Sequence, residues 1–108
     1  MKPPKFSART LEAIQKVVTG NPVDDHGAVA PYQSGPALIA FFSDFGFGDT
    51  YPRGGGFPSR WAYAESRLSE LNGTPRIIEA IEAAVAPQRF WDSSLSVERA
   101  VEYLNRYL

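Results

Sequence analysis

Apolar residues recur along this chain at intervals of three and four, which is the spacing of one face of an α-helix. The first such stripe is formed by Leu11, Ile14, Val17 and Val18. Ser7 precedes the stripe as a helix N-cap, and Gly20 follows it as a stop signal. The pattern predicts a first helix that begins after Ser7 and runs to about Thr19.

The second apolar segment differs from the first because its apolar residues cover more than half of the predicted helix surface. They are Leu38, Ile39, Phe41, Phe42 and Phe45. Ser34 and Pro36 favour a helix start, and Gly46 favours its end. A helix that is apolar on most sides is normally buried, so this one is predicted to be the central helix of the core.

Three further helices follow from the same signals. Ser59 is the N-cap of a helix that ends near Asn72, and Thr74 is the N-cap of the next one, which ends before Pro87. The last begins after Ser94 or Ser96, and its apolar stripe consists of Val97, Val101, Leu104 and Leu108. Phe90 and Trp91 are predicted to lie in a short turn or helical fragment between the last two helices.

No segment alternates apolar and polar residues with a period of two, so no strand is predicted. The predicted fold is therefore all-α: a compact bundle of five main helices and a sixth short one, forming a single domain. Segment 21–33 has no period and is predicted to be a loop, which at this length is typically functional or mobile. A long glycine-rich and aromatic loop at 47–57 separates the second and third helices.

Composition narrows the function classes. The 108 residues carry 11 basic and 12 acidic side chains, so no net field draws the domain to nucleic acid or an anionic membrane. The absence of cysteine fits a reducing interior, and neither a signal sequence nor a long apolar run is found, which predicts a cytoplasmic protein. Because the chain stops inside an apolar pattern, we expect the domain to belong to a longer, multidomain protein.

Three segments carry a family resemblance: SGPALIAFFSDFGFGDTY at 34–51, GFPSRWAYAESRLSELNGTP at 56–75 and VERAVEYLNRYL at 97–108. Together they resemble the N-terminal accessory domain of bacterial abortive-infection proteins, the AbiJ-like group. The resemblance implies a role in antiphage defence, in which this domain senses or recruits partners and another domain carries the toxic activity. At the level of fold, the helix count is also similar to death-fold adaptors such as the caspase-recruitment domains, which implies assembly or oligomerisation through surface contacts.

The glycine-rich loop and the start of the third helix contain the candidate binding residues. They are Phe47, Asp49, Tyr51, Arg53, Phe57, Arg60 and Trp61. Tyrosine, tryptophan and arginine dominate protein-binding hot spots, which favours a protein partner. The alternative is a nucleic-acid-binding module, in which the same rings stack on bases and the arginines contact phosphates.

Two of these residues carry further predictions. Because Trp61 begins an amphipathic helix, its ring is predicted to lie in the core. We also expect Arg53→Ala or Arg60→Glu to abolish partner binding and to leave thermal stability nearly unchanged. The glycine run at 54–56 has two possible interpretations: an anion site built from backbone N–H groups, or a plain connector.

The remaining motifs favour structural interpretations. Asp44-Phe45-Gly46 spells a kinase motif, but the rest of a kinase does not fit in 108 residues, so it is taken as a helix end. Residues 24–26, Asp-Asp-His, cannot easily converge on one metal ion and are taken as a solvated loop. The acidic residues of the helices, Glu65, Glu70, Glu79 and Glu82, lie on polar faces. We therefore predict a domain that is not an enzyme and holds no metal or cofactor.

Overall fold

A computed structural model describes residues 2–108, and these form five α-helices and one 3₁₀-helix. The elements are α1 (Ala8–Thr19), α2 (Gly35–Ser43), α3 (Arg60–Leu71), α4 (Arg76–Ala84), the 3₁₀-helix (Pro87–Phe90) and α5 (Val97–Asn105). Over these residues the only β-type pairing is an isolated bridge between Asp24 and Gly27. The prediction of a compact all-α bundle with a sixth, short helix is confirmed.

Serine side chains begin four of the five α-helices. The hydroxyl oxygens of Ser7, Ser34, Ser59 and Ser96 each accept a hydrogen bond from the backbone N–H three residues later. The helix starts at these four positions are confirmed, and Ser96 rather than Ser94 begins α5. The predicted cap at Thr74 is wrong, because its hydroxyl donates to the carbonyl of Leu71 at 2.7 Å and Pro75 precedes α4 instead.

The centre of the bundle is α1. Eight of its twelve residues are buried, and it packs most extensively against α3 while also contacting α4 and α5. Only three of the nine residues of α2 are buried, and its main helix contact is α3. The prediction that the second helix is central is therefore wrong. The aromatic loop covers part of the apolar surface of α2, and an apolar pattern does not reveal whether a helix or a loop covers it.

The last helix is rotated from its predicted orientation. Its buried residues are Ala100, Tyr103 and Leu104, whereas Val101 is 39% exposed. The predicted stripe contained only large aliphatic residues, whereas in the structure a small alanine and an amphipathic tyrosine also face the core. None of the helices in residues 2–108 combines the length and hydropathy needed to cross a bilayer.

Segment 21–33 is held against the C-terminal end of α1. The Gln33 backbone N–H donates to the carbonyl of Thr19 at 3.0 Å, and its side-chain amide donates to the carbonyl of Val18 at 2.8 Å. The half-buried Arg89 side chain donates from its guanidinium to the carbonyls of Val18 and Pro31, both at 2.8 Å. Carbonyls at a helix C-terminus lack partners within the helix. These contacts therefore provide hydrogen bonds to the last carbonyls of α1 and also hold the loop in place.

Candidate functional site

Three aromatic rings lead from the surface of the loop to the core. The ring centroid of Phe57 lies 5.0 Å from that of Tyr51 and 5.1 Å from that of Tyr63, with tilted planes. Tyr63 in turn packs edge-on against the fully buried Phe42 at 5.8 Å. Tyr51 remains 50% exposed at the outer end. The loop therefore presents an aromatic side chain whose position is set by the core.

The start of α2 allows this stack to approach closely. A Cβ atom added to Gly35 would lie 2.5 Å from the Tyr51 ring and 3.1 Å from the Phe57 ring. Any larger residue at this position would displace both rings. Glycine here serves close packing rather than a special backbone conformation.

An ion-pair network fixes the middle of the loop. Arg67 donates to both carboxylate oxygens of Asp49, from Nε at 2.8 Å and from Nη2 at 2.9 Å, and Tyr63 donates its hydroxyl to the same carboxylate at 2.7 Å. Arg67 also donates to Glu70 at 2.8 Å, and its guanidinium lies 5.0 Å from the ring centroid of Phe47. Bidentate arginine–carboxylate pairs have a defined geometry, so they orient the loop relative to α3.

The protonation states in this network are fixed near neutral pH. Hydrogen bonds from Arg67 and then from Tyr63 hold the pKa of Asp49 below its usual range. Burial, reinforced by the bond to Asp49, raises the pKa of Tyr63 to about 12. A general acid or base works best with a pKa near the operating pH. This arrangement therefore suits positioning of the loop better than proton transfer.

The lowered pKa of Asp49 predicts that the contribution of this network to stability depends on pH. Because the folded-state pKa lies below the unfolded value of about 3.9, the carboxylate stabilises the fold above that value and loses this contribution as pH falls through the folded pKa. We expect Asp49→Asn to lower the free energy of unfolding by about 1 kcal/mol at pH 7, a figure that allows for its partial exposure. The difference from wild type should shrink in acid.

Urea denaturation at pH 7 and pH 3 measures this difference. The exposed Asp92, changed to asparagine, is the control for charge removal alone. Equal destabilisation by Asp49→Asn at both pH values would contradict a role for the ionised carboxylate. Equal effects of the two variants at pH 7 would contradict a special role for Asp49.

A concave pocket of about 260 Å³ opens beside the stack and the network. Its apolar walls come from Ile39, Pro52, Phe57 and Pro58, and Tyr63, Ser66 and Arg67 provide polar atoms. We call Tyr51, Arg53, Phe57 and this pocket the loop surface. It combines apolar walls with a few fixed polar groups, as binding sites for partner side chains commonly do.

The glycine run forms the tip of the loop. Gly54, Gly55 and Gly56 all have positive φ, between 79° and 99°, and no atom lies within 4 Å of the Cβ position of any of them. The run is therefore an exposed turn that larger residues would strain. Arg53 beside it is also exposed, so it belongs to the accessible part of the loop surface.

Arg60 is directed into the fold. Its guanidinium donates to the carbonyl of Gln33 at 2.7 Å, to the side-chain oxygen of Asn21 at 2.8 Å and to the carbonyl of Thr19. The ring of Tyr32 lies against it, 3.8 Å from the guanidinium carbon. The expectation that Arg60→Glu leaves stability unchanged therefore no longer holds, because this side chain joins α3 to α1 and to segment 21–33.

Trp61 lies outside the core, contrary to the prediction. Its side chain is 52% exposed and lines a groove formed with α1. Two positions along an α-helix correspond to a rotation of about 200°, so Trp61 and the buried Tyr63 point to different sides of α3. Phe47 is half-buried and packs edge-on against Phe42 at 6.2 Å. The seven predicted residues therefore do not form one continuous surface.

Several residues of the site were absent from the predicted set. Tyr63 and Arg67, four residues apart on one face of α3, hold the loop, and Arg89 and Gln33 hold segment 21–33. The spacing of Tyr63 and Arg67 was the available signal, but nothing in the sequence pairs them with Asp49.

The Asp-Asp-His sequence at 24–26 forms an exposed tight turn. The His26 backbone N–H donates to the carboxylate of Asp24 at 2.7 Å, and the Gly27 N–H donates to the carbonyl of Asp24 at 3.1 Å. This Asx-type turn uses the Asp24 side chain for backbone structure. Across residues 2–108, no three histidine, aspartate or glutamate side chains converge as metal ligands.

Comparison of the chain with protein-family models, with curated proteins and with solved structures gives no match. The structure defines an all-α helical-bundle domain that carries a fixed aromatic loop. Fold class and site geometry are the observations on which a function can be proposed.

Proposed function

We propose that this chain is a non-catalytic interaction or sensing domain that binds a protein partner through the loop surface. The observation that carries the proposal is the stack of Tyr51, Phe57 and Tyr63, which holds an exposed ring and the adjacent pocket in place. A surface ordered before binding loses less conformational entropy when the partner arrives. Exposed aromatic and arginine side chains are also those that contribute most to protein binding.

The lining of the pocket supports the entry of a partner's side chain. The pocket measures about 260 Å³, its walls are largely apolar, and Tyr63 and Arg67 are held beside it by their hydrogen bonds to Asp49. We propose that an apolar side chain of the partner enters between Ile39 and Phe57 while Tyr51 and Arg53 contact the flanking backbone.

The cellular role extends the resemblance of three segments to AbiJ-like accessory domains. We propose that the chain is part of a cytoplasmic, multidomain bacterial protein of antiphage defence, in which it recruits or regulates an effector. The fixed protonation states of Asp49 and Tyr63 support a binding role over a catalytic one. Genomic context and the complete reading frame test this part, since an effector domain should be encoded with the chain.

The test of the loop surface is a binding measurement with a selected peptide. Peptides selected by display against the domain would be assayed by calorimetry against wild type, Tyr51→Ala and Arg53→Ala. We expect each variant to weaken binding about tenfold or more, which corresponds to about 1.4 kcal/mol, with little change in stability because both side chains are exposed.

Trp91→Ala provides the matched control, because Trp91 is 75% exposed and does not line the pocket of the loop surface. Its affinity should equal that of wild type. If selected peptides bind as tightly to the Tyr51→Ala/Arg53→Ala double variant as to wild type, the loop surface is not the binding site.

The nucleic-acid alternative has less support than the sequence suggested. It depends on two arginines, and Arg60 donates to three acceptors within the chain. Titration with a single-stranded oligonucleotide at low and physiological salt distinguishes the two functions. Nucleic-acid binding should weaken steeply with salt, whereas apolar insertion at the loop pocket should not.

A further inference from the structure

A second concave site lies between α1 and the side of α3 that carries Trp61. It is an open groove of about 480 Å³, to which α3 contributes Trp61 and Glu65, and α1 contributes Glu12, Gln15 and Lys16. These residues differ from those of the loop surface. The two sites can therefore be tested with separate variants.

The charges of the groove favour a cationic ligand. Glu65 lies one helical turn after Trp61 and is exposed. Glu12 is paired with Lys16 at 3.6 Å, which leaves one carboxylate more than the groove has ammonium groups. A cation placed on an exposed indole is attracted by the ring, and a neighbouring carboxylate adds to that attraction. The half-exposed Trp61 ring beside Glu65 provides both.

A buried amide side chain also lines the groove. Gln15 is only 4% exposed, and its side-chain amide lies 3.0 Å from the Thr19 hydroxyl. The same hydroxyl lies 2.9 Å from the backbone carbonyl of Gln15. These contacts hold the amide at the wall of the groove.

We propose that this groove binds an arginine side chain of a basic peptide segment. The guanidinium stacks on the indole of Trp61 and pairs with Glu65, one helical turn further along α3. Arginine suits the site because its planar group stacks on aromatic rings and pairs with carboxylates through two donors. Two features thus select the same ligand: the exposed indole ring of Trp61 and the carboxylate of Glu65.

Nuclear magnetic resonance of the whole chain tests this proposal with N-acetyl-arginine amide as the probe. We expect the indole N–H signal of Trp61 and the side-chain amide signals of Gln15 to shift and saturate together. The exposed Trp91 lies outside the groove, so its indole signal should stay in place as an internal control. N-acetyl-citrulline amide has the same shape without the charge and should produce no saturable shift.

Two surface variants measure the contribution of charge. Glu65→Gln should weaken binding of the arginine probe about twofold to fivefold, whereas Glu98→Gln, on the exposed face of α5, should leave it unchanged. Both positions are exposed, and the dispersion of the backbone spectrum confirms folding. The proposal is overturned if citrulline binds as well as arginine, if Glu65→Gln binds as tightly as wild type, or if the Trp61 and Trp91 signals move together.

Discussion

Replacing Arg60 with glutamate is expected to lower the free energy of unfolding by about 3 kcal/mol, even though this residue lies only at the edge of the core. The substitution removes donors to the carbonyls of Gln33 and Thr19 and to the side chain of Asn21. It also places a negative charge beside these acceptors, at the C-terminal end of α1, where the helix dipole disfavours an anion.

Chemical denaturation followed by circular dichroism measures the effect. Arg53→Glu is the matched control, because it makes the same charge change at an exposed position of the adjoining loop and should alter stability by less than about 0.5 kcal/mol. A small effect at both positions would show that the Arg60 contacts contribute little in solution. A large effect at both would assign the loss to net charge instead.

The contacts of Arg60 could not be predicted from the sequence. The residue type predicted a binding surface, since exposed arginines beside aromatic rings often contact partners. Two of its acceptors are backbone carbonyls, which every residue has, so no sequence pattern could identify them. The positions of the helices, by contrast, were predictable because capping serines and apolar spacing are local signals. Ser7, Ser34 and Ser59 each give such a signal, and each begins a helix.

The difference between local signals and contacts of distant residues also explains the wrong predictions for α2 and Trp61. A run of apolar residues shows that a helix surface is covered, and in α2 the covering groups include Tyr51 and Phe57 of the loop. Trp61 and Tyr63 are both aromatic and only two positions apart, so one of them had to face away from the core. Their chemistry does not decide which, but the ion pair between Arg67 and Asp49 lies on the Tyr63 side.

The two long loops also differ in a way that their composition did not reveal. Segment 21–33 lacks any period, yet Gln33, Arg60 and Arg89 hold its returning end against α1. The glycine-rich loop is attached through Asp49 and the aromatic stack, but its tip at 54–56 stays exposed. The first loop therefore contributes to the packing of the bundle, whereas the second leaves its tip exposed to solvent.

Substitution of Gly20, where α1 meets segment 21–33, is expected to cause the second large loss of stability. This residue ends α1 with φ of 75°, and a Cβ atom added there would fall on the carbonyl oxygen of Pro31 and lie 2.5 Å from the Cα atom of Tyr32. Both are backbone atoms, so rotation of a side chain cannot relieve the overlap. We expect Gly20→Ala to destabilise the domain by about 3 kcal/mol, from the strain of positive φ together with displacement of the loop.

Gly54→Ala separates these two causes. Gly54 has nearly the same φ, 79°, but no atom lies within 4 Å of its Cβ position, so alanine there suffers the conformational strain alone. We expect it to cost about 1 kcal/mol. Thermal and urea denaturation of both variants gives the difference, which measures how tightly the loop closes on α1. Equal losses would mean that segment 21–33 moves aside without cost, and Arg60→Glu should then also have little effect on stability.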